Sequence, residues 1–289
     1  MSAGKRAHKY LFKQFSTTVT HYDLFRPGDR VAVAVSGGKD SYTLLVLLQQ
    51  LVRASSFPVE LVALHLDQGQ PGYDGTKLQH WLTQSGVAFE ILREDTYSVV
   101  VEHTKPGGTY CSVCSRLRRG ALYTAMERLG LNKLCLGHHR EDALETLLLN
   151  LFYAGKLQAM PAQYTTDDGR FQVVRPLIEC AENAIIEFAE AQQFPILPCN
   201  LCGSQEGLKR AKIRELLTQL EGDNPNVRSV MLNAIANVRP THLLDRDMQA
   251  AWHARPTHIR PDPPPKTTAK HMQALPALGL GKRLPVISE

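Results

Sequence analysis

Residues Arg30 to Ser41 read RVAVAVSGGKDS, and this stretch decides the fold. Val31, Val33 and Val35 alternate with the small Ala32 and Ala34, the pattern of a short buried strand. Ser36-Gly37-Gly38 follows directly, then Lys39-Asp40-Ser41, then the apolar run Thr43 to Leu48. The order is strand, glycine turn, helix start. Two glycines let the backbone turn tightly with its N–H groups facing outward. The helix that follows adds its own unpaired N–H groups and the positive end of its dipole. Ser36, Gly37, Gly38, Lys39, Asp40 and Ser41 therefore form an expected anion cradle. The spacing is neither that of a G-x-x-x-x-G-K-[ST] loop nor that of G-x-G-x-x-G. Two adjacent glycines alone would mark only a plain βα turn; the flanking Ser and Lys-Asp-Ser sharpen the reading.

Outward from this stretch, hydrophobic periodicity gives alternating elements. Ala7, Leu11, Phe15, Val19 and Tyr22 recur at helical spacing ahead of the turn Arg26-Pro27-Gly28-Asp29. Helix is expected over 42–53, strand over 59–66, helix over 75–85 and strand over 87–92. A further helix over 116–129 and a strand over 133–136 follow. Asp167-Asp168-Gly169-Arg170 reads as a hairpin turn, and 181–193, 206–220 and 226–238 as helices. Alternation of this kind predicts an α/β fold with a doubly wound, mostly parallel, Rossmann-like sheet and helical additions at both ends. The expected organisation is an N-terminal helix in 1–28, a catalytic domain in 29–245 and a Pro-rich basic, flexible tail in 246–289. Ligands of such sheets bind beyond the carboxyl ends of the strands. Three loops fall there: Ser36–Ser41, the end of the second strand at Asp67, and Gly137-His138-His139.

The helix after Gly137 begins with Asp142 and Glu145, three residues apart and so on one face. Asp142, with Lys39 and Asp40, is an expected catalytic residue, and the acidic pair suits Mg²⁺ on a nucleotide polyphosphate. Asp67 and Gly137 join the expected nucleotide contacts. His138 and His139 are expected to be structural or substrate-contacting.

The chain has 289 residues, 43% of them hydrophobic, and a net charge of +5. Six Lys/Arg against two Asp/Glu lie from Trp252 to Glu289, so the tail carries most of that surplus. Global charge therefore does not mark a nucleic-acid binder, and local basic clusters must carry that argument. No run approaches the ~20 apolar residues of a membrane helix, and no signal-peptide core is seen at the N-terminus. A cytoplasmic protein with no membrane partner is expected. Two CxxC pairs, Cys111/Cys114 and Cys199/Cys202, stand apart from Cys135 and Cys180, which read as buried small residues. Spacing alone leaves zinc, redox thiols and an iron–sulfur cluster open for the pairs.

With SGGKDS, CSVCSRLRRG, GHHREDALETLLLNLFYAGK, RPL and PCNLCGSQ read together, the chain resembles the tRNA 2-thiocytidine synthetases, pyrophosphate-loop ATP pyrophosphatases that thiolate cytidine 32 of the anticodon loop. The likeness runs from Tyr10 to Leu244, with the motifs in family order. It implies a pyrophosphate-loop fold, ATP, Mg²⁺ and a 4Fe-4S cluster on Cys111, Cys114 and Cys202, with Cys199 a non-ligand. It also implies tRNA as partner and a sulfur donor, either a cysteine desulfurase or sulfide; a homodimer is left open. Arg116, Arg118 and Arg119, and Lys209, Arg210, Lys212 and Arg214, would supply phosphate-binding charge. Two departures stand out: Glu141 where the family often has Asp, and a tail after Asp245 that matches nothing in it. The competing functions are another pyrophosphate-loop tRNA-modifying enzyme (a uridine thiolase or one like the lysidine synthetases) and a zinc-dependent RNA-binding module.

Overall fold

The computed structural model describes residues 3–55, 59–103, 110–197 and 205–256. Side chains of 3–7, 110–113 and 205–208 lie outside that description. The chain forms two units, Met1–Ala236 and Asn237–Glu289.

In the first unit the order is α1 (Ala3–His21), β1 (Arg30–Ala34), α2 (Lys39–Ala54), β2 (Glu60–Asp67), α3 (Thr76–Ser85), β3 (Ala88–Arg93), α4 (Thr96–His103) and α5 (Tyr110–Leu129). β4 (Lys133–Cys135), α6 (Arg140–Leu149), β5 (Gln163–Thr165), β6 (Gln172–Val174), α7 (Glu182–Gln192), α8 (Gln205–Asp223) and α9 (Val227–Ala236) complete it. The six strands form one sheet in the order β3-β2-β1-β4-β6-β5. All neighbours are parallel except β5 and β6, the hairpin expected around Gly169, whose φ of +74° closes the turn. The doubly wound, mostly parallel sheet is thus the one the sequence predicts.

Both faces of the sheet are covered, which explains the Val/Ala alternation of β1. Val31, Val33 and Val35 enter a core shared with Leu11, Phe15 and Leu44. Ala32 enters the opposite core, with Val62, Leu64, Leu122, Met126 and Leu134. At 25 cal/mol per Å² the burial of such side chains contributes roughly 1.5–3 kcal/mol each. Cys135 and Cys180 are fully buried, as expected, and burial pushes the Cys180 thiol up to about 12 and Cys135 higher still. Neither is a reactive thiol at neutral pH.

The structure departs from the sequence expectation in four places. Helix α5 begins at Tyr110 rather than at Arg116, so Cys111 and Cys114 lie within the helix and not ahead of it. Helix α2 begins at Lys39, so the lysine itself stands in the first turn rather than in a loop before it. Thr96–His103 is helical although no periodicity marked it. Residues 246–254, expected to begin the tail, form α10 (Arg246–Ala254) in the second unit. Asp245 caps that helix by accepting the Met248 N–H at 2.9 Å, which satisfies an otherwise orphan donor. The rest of the expected tail, 257–289, lies outside the described residues. No described helix is long and apolar enough to cross a membrane.

Candidate active site

A crevice of about 290 Å³ opens at the carboxyl ends of β1, β2 and β4, where the crossover reverses direction. Ser36, Asp40 and Ser41 line it from the glycine turn, Gly137 and His138 from the β4–α6 turn, and Asp142 from the first turn of α6. The three loops that the sequence assigned to one sheet end therefore supply a common cavity, although not every residue of them faces it.

The glycine turn rests on one position that requires glycine and on one close approach that favours it. Gly37 has φ +86°, and a Cβ there would come within 2.7 Å of the Leu197 side chain. Its carbonyl accepts the Leu197 N–H at 2.9 Å. Gly137 lies against the start of α2: a Cβ would stand 3.1 Å from the Asp40 carbonyl carbon and 3.3 Å from the Ser41 nitrogen. The Gly38 N–H bonds Ser36 Oγ at 3.4 Å, and Ser41 Oγ donates to the Gly38 carbonyl at 2.9 Å. These bonds fix the turn into the first turn of α2. Gly137→Ala should therefore shift the turn by a few tenths of an ångström. We expect a several-fold rise in the KM for ATP and about 1–3 kcal/mol lost stability from overpacking. An unchanged KM in steady-state pyrophosphate release would show that the contact gives way without moving the turn.

Lys39 does not extend into the cavity in this structure. Its Nζ bridges Asp40 Oδ1 at 3.0 Å and Glu182 Oε1 at 2.9 Å. Burial disfavours its charge, but Asp40 and Glu182 outweigh burial and hold its pKa above the ordinary lysine value. Glu182, at the start of α7, is the site residue that sequence reading missed. It is 143 residues from Lys39, and the only local signal was an acidic residue in a helix first turn. Its own N–H donates to Glu141 Oε2 at 2.8 Å, which ties α7 to α6.

His139 sits among four carboxylates. Its ring nitrogens lie 3.3 Å from Glu141, 3.5 Å from Asp142 and 3.8 Å from both Asp40 and Glu182. Burial opposes its charge, yet the Glu141 bond and the other acids raise its pKa. Glu141 is driven down to about 2, because His139 and Arg140 outweigh its burial. His138 behaves oppositely: burial pushes it to about 4, so it is neutral at pH 7. Its Nδ1 is buried with no hydrogen-bond partner. The pKa values of His138 and His139 thus shift in opposite directions, because burial dominates at His138 while Glu141 and the other carboxylates outweigh burial at His139.

The acidic pair expected on α6 is split. Asp142 lines the cavity, and its Oδ2 accepts the His139 N–H at 3.0 Å. Glu145 is 1% exposed and turned toward α8, where it holds Arg214 at 3.0 Å and Arg210 at 3.3 Å. A spacing of three put both acids on neighbouring rows of the helix, but α8 covers one row. Arg210 and Arg214 are thereby engaged with Glu145, while Lys209 and Lys212 remain exposed. Asp67 turns back into its own loop, accepting the Gly69 N–H at 3.0 Å. Strand alternation sets it on the face of His65, opposite Leu64 and Leu66, which line the cavity.

One described thiol, Cys114, touches a residue of the cavity lining. Cys114 Sγ lies 3.4 Å from Gln68 Oε1, and Gln68 and Arg118 both line the cavity. Cys111 is on α5, but its side chain is outside the described residues, as are Cys199 and Cys202. Leu197, bonded to Gly37, is two residues before Cys199 in the sequence.

The PP-loop domain family matches residues 7–220. The chain is 50% identical over 240 residues to a tRNA-cytidine(32) 2-sulfurtransferase of Cytophaga hutchinsonii, spanning 82% of this chain and 83% of that one. It is 44% identical over 255 residues to the enzyme of the same description from Coxiella burnetii, spanning 88% and 98%. Among solved structures, the U34-tRNA thiolase NcsA from Methanococcus maripaludis, with its 4Fe-4S cluster, superposes with a TM-score of 0.63 at 18% identity, covering 82% of this chain and 81% of that one. That last likeness is one of fold. A PP-loop fold with its glycine turn intact, joined to half or nearly half sequence identity along most of the chain, makes this protein a member of the tRNA-cytidine(32) 2-sulfurtransferase family.

Proposed function

We propose that this protein is an ATP-dependent tRNA sulfurtransferase that adenylates O2 of cytidine 32 and replaces that oxygen with sulfur, giving 2-thiocytidine. The observation that carries the reading is that Ser36, Asp40, Ser41 and Asp142 line one crevice together with Gln68, which Cys114 touches. Phosphate chemistry and thiol chemistry would then share one space.

The O2 of cytidine is a poor leaving group. Its attack on the α-phosphate of ATP makes it part of an adenylate and expels pyrophosphate. The first-turn N–H groups of α2 and Lys39 receive the departing pyrophosphate, stabilising charge where it develops. Asp40 and Asp142 are the carboxylates that would hold Mg²⁺, which supplies further neutralisation of the polyphosphate. Cys111, Cys114 and Cys202 would hold a 4Fe-4S cluster, which supplies an iron with an open position for sulfur. Sulfur then bonds to C2, the C2–O bond breaks, AMP leaves, and the sulfhydryl proton is released as C2=S forms. Arg118, at the cavity edge, is placed to bind an RNA phosphate near the target base.

The deciding experiment uses anaerobically reconstituted protein, ATP, Mg²⁺, sulfide and an unmodified tRNA transcript with cytidine at position 32. Nucleoside mass spectrometry should find 2-thiocytidine, with about one AMP released per thiolated base. Thiolation at a uridine would move the chain to a different tRNA-thiolation reaction. AMP release without any thionucleoside would overturn the sulfur-transfer step.

A further inference from the structure

Helix α6 does not end cleanly. It continues into a π-helical turn, Asn150–Ala154, that closes on Gly155 in the left-handed conformation at φ +61°. This turn carries exposed apolar bulk: Leu151 is 46% exposed, Phe152 55%, Tyr153 52% and nearby Leu157 62%. Four large apolar side chains within seven residues on a surface form a patch that burial has not paired. The patch is held rigid. The Gly155 and Lys156 N–H groups both reach the Asn150 carbonyl, the latter at 3.0 Å, and Asn150 Nδ2 donates to the Gln158 carbonyl at 2.8 Å. Its rim is basic. Lys209 Nζ stands 4.8 Å from the Tyr153 ring centroid, and Lys156 is exposed beside it.

We propose that this turn is the stacking platform for unpaired nucleotides of the tRNA that flank the target base. The inference rests on the function proposed above. Exposed aromatics interleaved with lysines are what single-stranded nucleic acid needs: π-faces for bases and cations for the phosphates between them. A cationic rim suits a polyanion better than a second copy of a chain with net charge +5, so Lys156 and Lys209 favour an RNA occupant. Distance also suits the role. Phe152 lies ten residues beyond Asp142 on one continuous helical path, about 15 Å at 1.5 Å per residue. A platform at that range would grip the loop while the target base enters the crevice, and its pre-set geometry spares the ordering cost of binding.

The test compares the unsubstituted protein with Phe152→Ala/Tyr153→Ala and with Phe152→Trp, using the unmodified tRNA transcript as probe. Binding is read at fixed salt, oligomeric state by sedimentation, and ATP binding as the check on fold. The double alanine variant should lose about tenfold or more in tRNA affinity per stack removed, with ATP binding and oligomeric state unchanged. The tryptophan variant should bind as well as the unsubstituted protein. Unchanged affinity of the double alanine variant overturns the proposal, and so does weakening accompanied by dissociation of a dimer, which would make the patch a self-association surface. Failure of the unsubstituted protein to bind tRNA at all would instead overturn the proposed function, and this platform with it.

Discussion

Lys39→Ala should reduce ATP-dependent release of AMP and pyrophosphate by about 10²–10³-fold or more, while the protein stays folded. The magnitude is that of removing one charged group that meets the developing phosphate charge, about 2.7–4 kcal/mol of transition-state stabilisation, and it requires Lys39 Nζ to leave the Asp40–Glu182 bridge when ATP binds. Folding survives because the side chain lies at the end of the sheet, not within it: Lys39 is 25% exposed and absent from both large cores. Its removal does leave Asp40 and Glu182 without their shared cation, and 3.0 and 2.9 Å contacts are lost together. A modest loss of stability therefore accompanies the kinetic effect. Glu182→Gln separates the two contributions. It keeps the lysine charge and removes only one partner, so pyrophosphate release should fall by much less than in Lys39→Ala. Normal AMP and pyrophosphate release by Lys39→Ala would end the assignment of the glycine turn to ATP chemistry.

Single cysteine replacements should divide three against one. Cys111→Ala, Cys114→Ala and Cys202→Ala should each lose most of the iron and all thiolation, because three thiolates hold the cluster in the function proposed here. Cys199→Ala should keep its iron. A zinc site built from both CxxC pairs predicts something else: four equivalent losses of a colourless, redox-silent metal. Metal and sulfide analysis of the four variants, purified without oxygen, reads the difference directly. Cys114 also allows a finer check. Its Sγ is 3.4 Å from Gln68, so Gln68→Ala should leave the iron in place while altering the environment of that thiol. Equal loss of zinc in all four variants would remove the basis for iron-held sulfur.

Residue types and spacing alone determined the frame of this protein. The alternation of Val31, Val33 and Val35 with Ala32 and Ala34 specifies a strand covered on both faces, because successive side chains must point to opposite sides. Gly37 and Gly38 before Lys39 specify a turn into a helix, and the alternation of strands and helices specifies a parallel sheet with its site at the strand ends. Those are local or periodic properties, so they can be read along the chain. Tertiary structure alone decided how the site's charges are shared. Asp142 and Glu145 are equivalent in spacing, yet one faces the cavity and the other meets Arg210 and Arg214 on α8. Glu182 finds Lys39 across 143 residues, and Gly137 matters because the α2 backbone passes 3.1 Å from where its Cβ would be. His138 and His139 are neighbours of one residue type with opposite pKa shifts, since burial dominates at one ring and the other lies among carboxylates from three elements. Each of these depends on which distant element covers a given face, and packing between elements far apart in the chain leaves no local trace in the order of the residues.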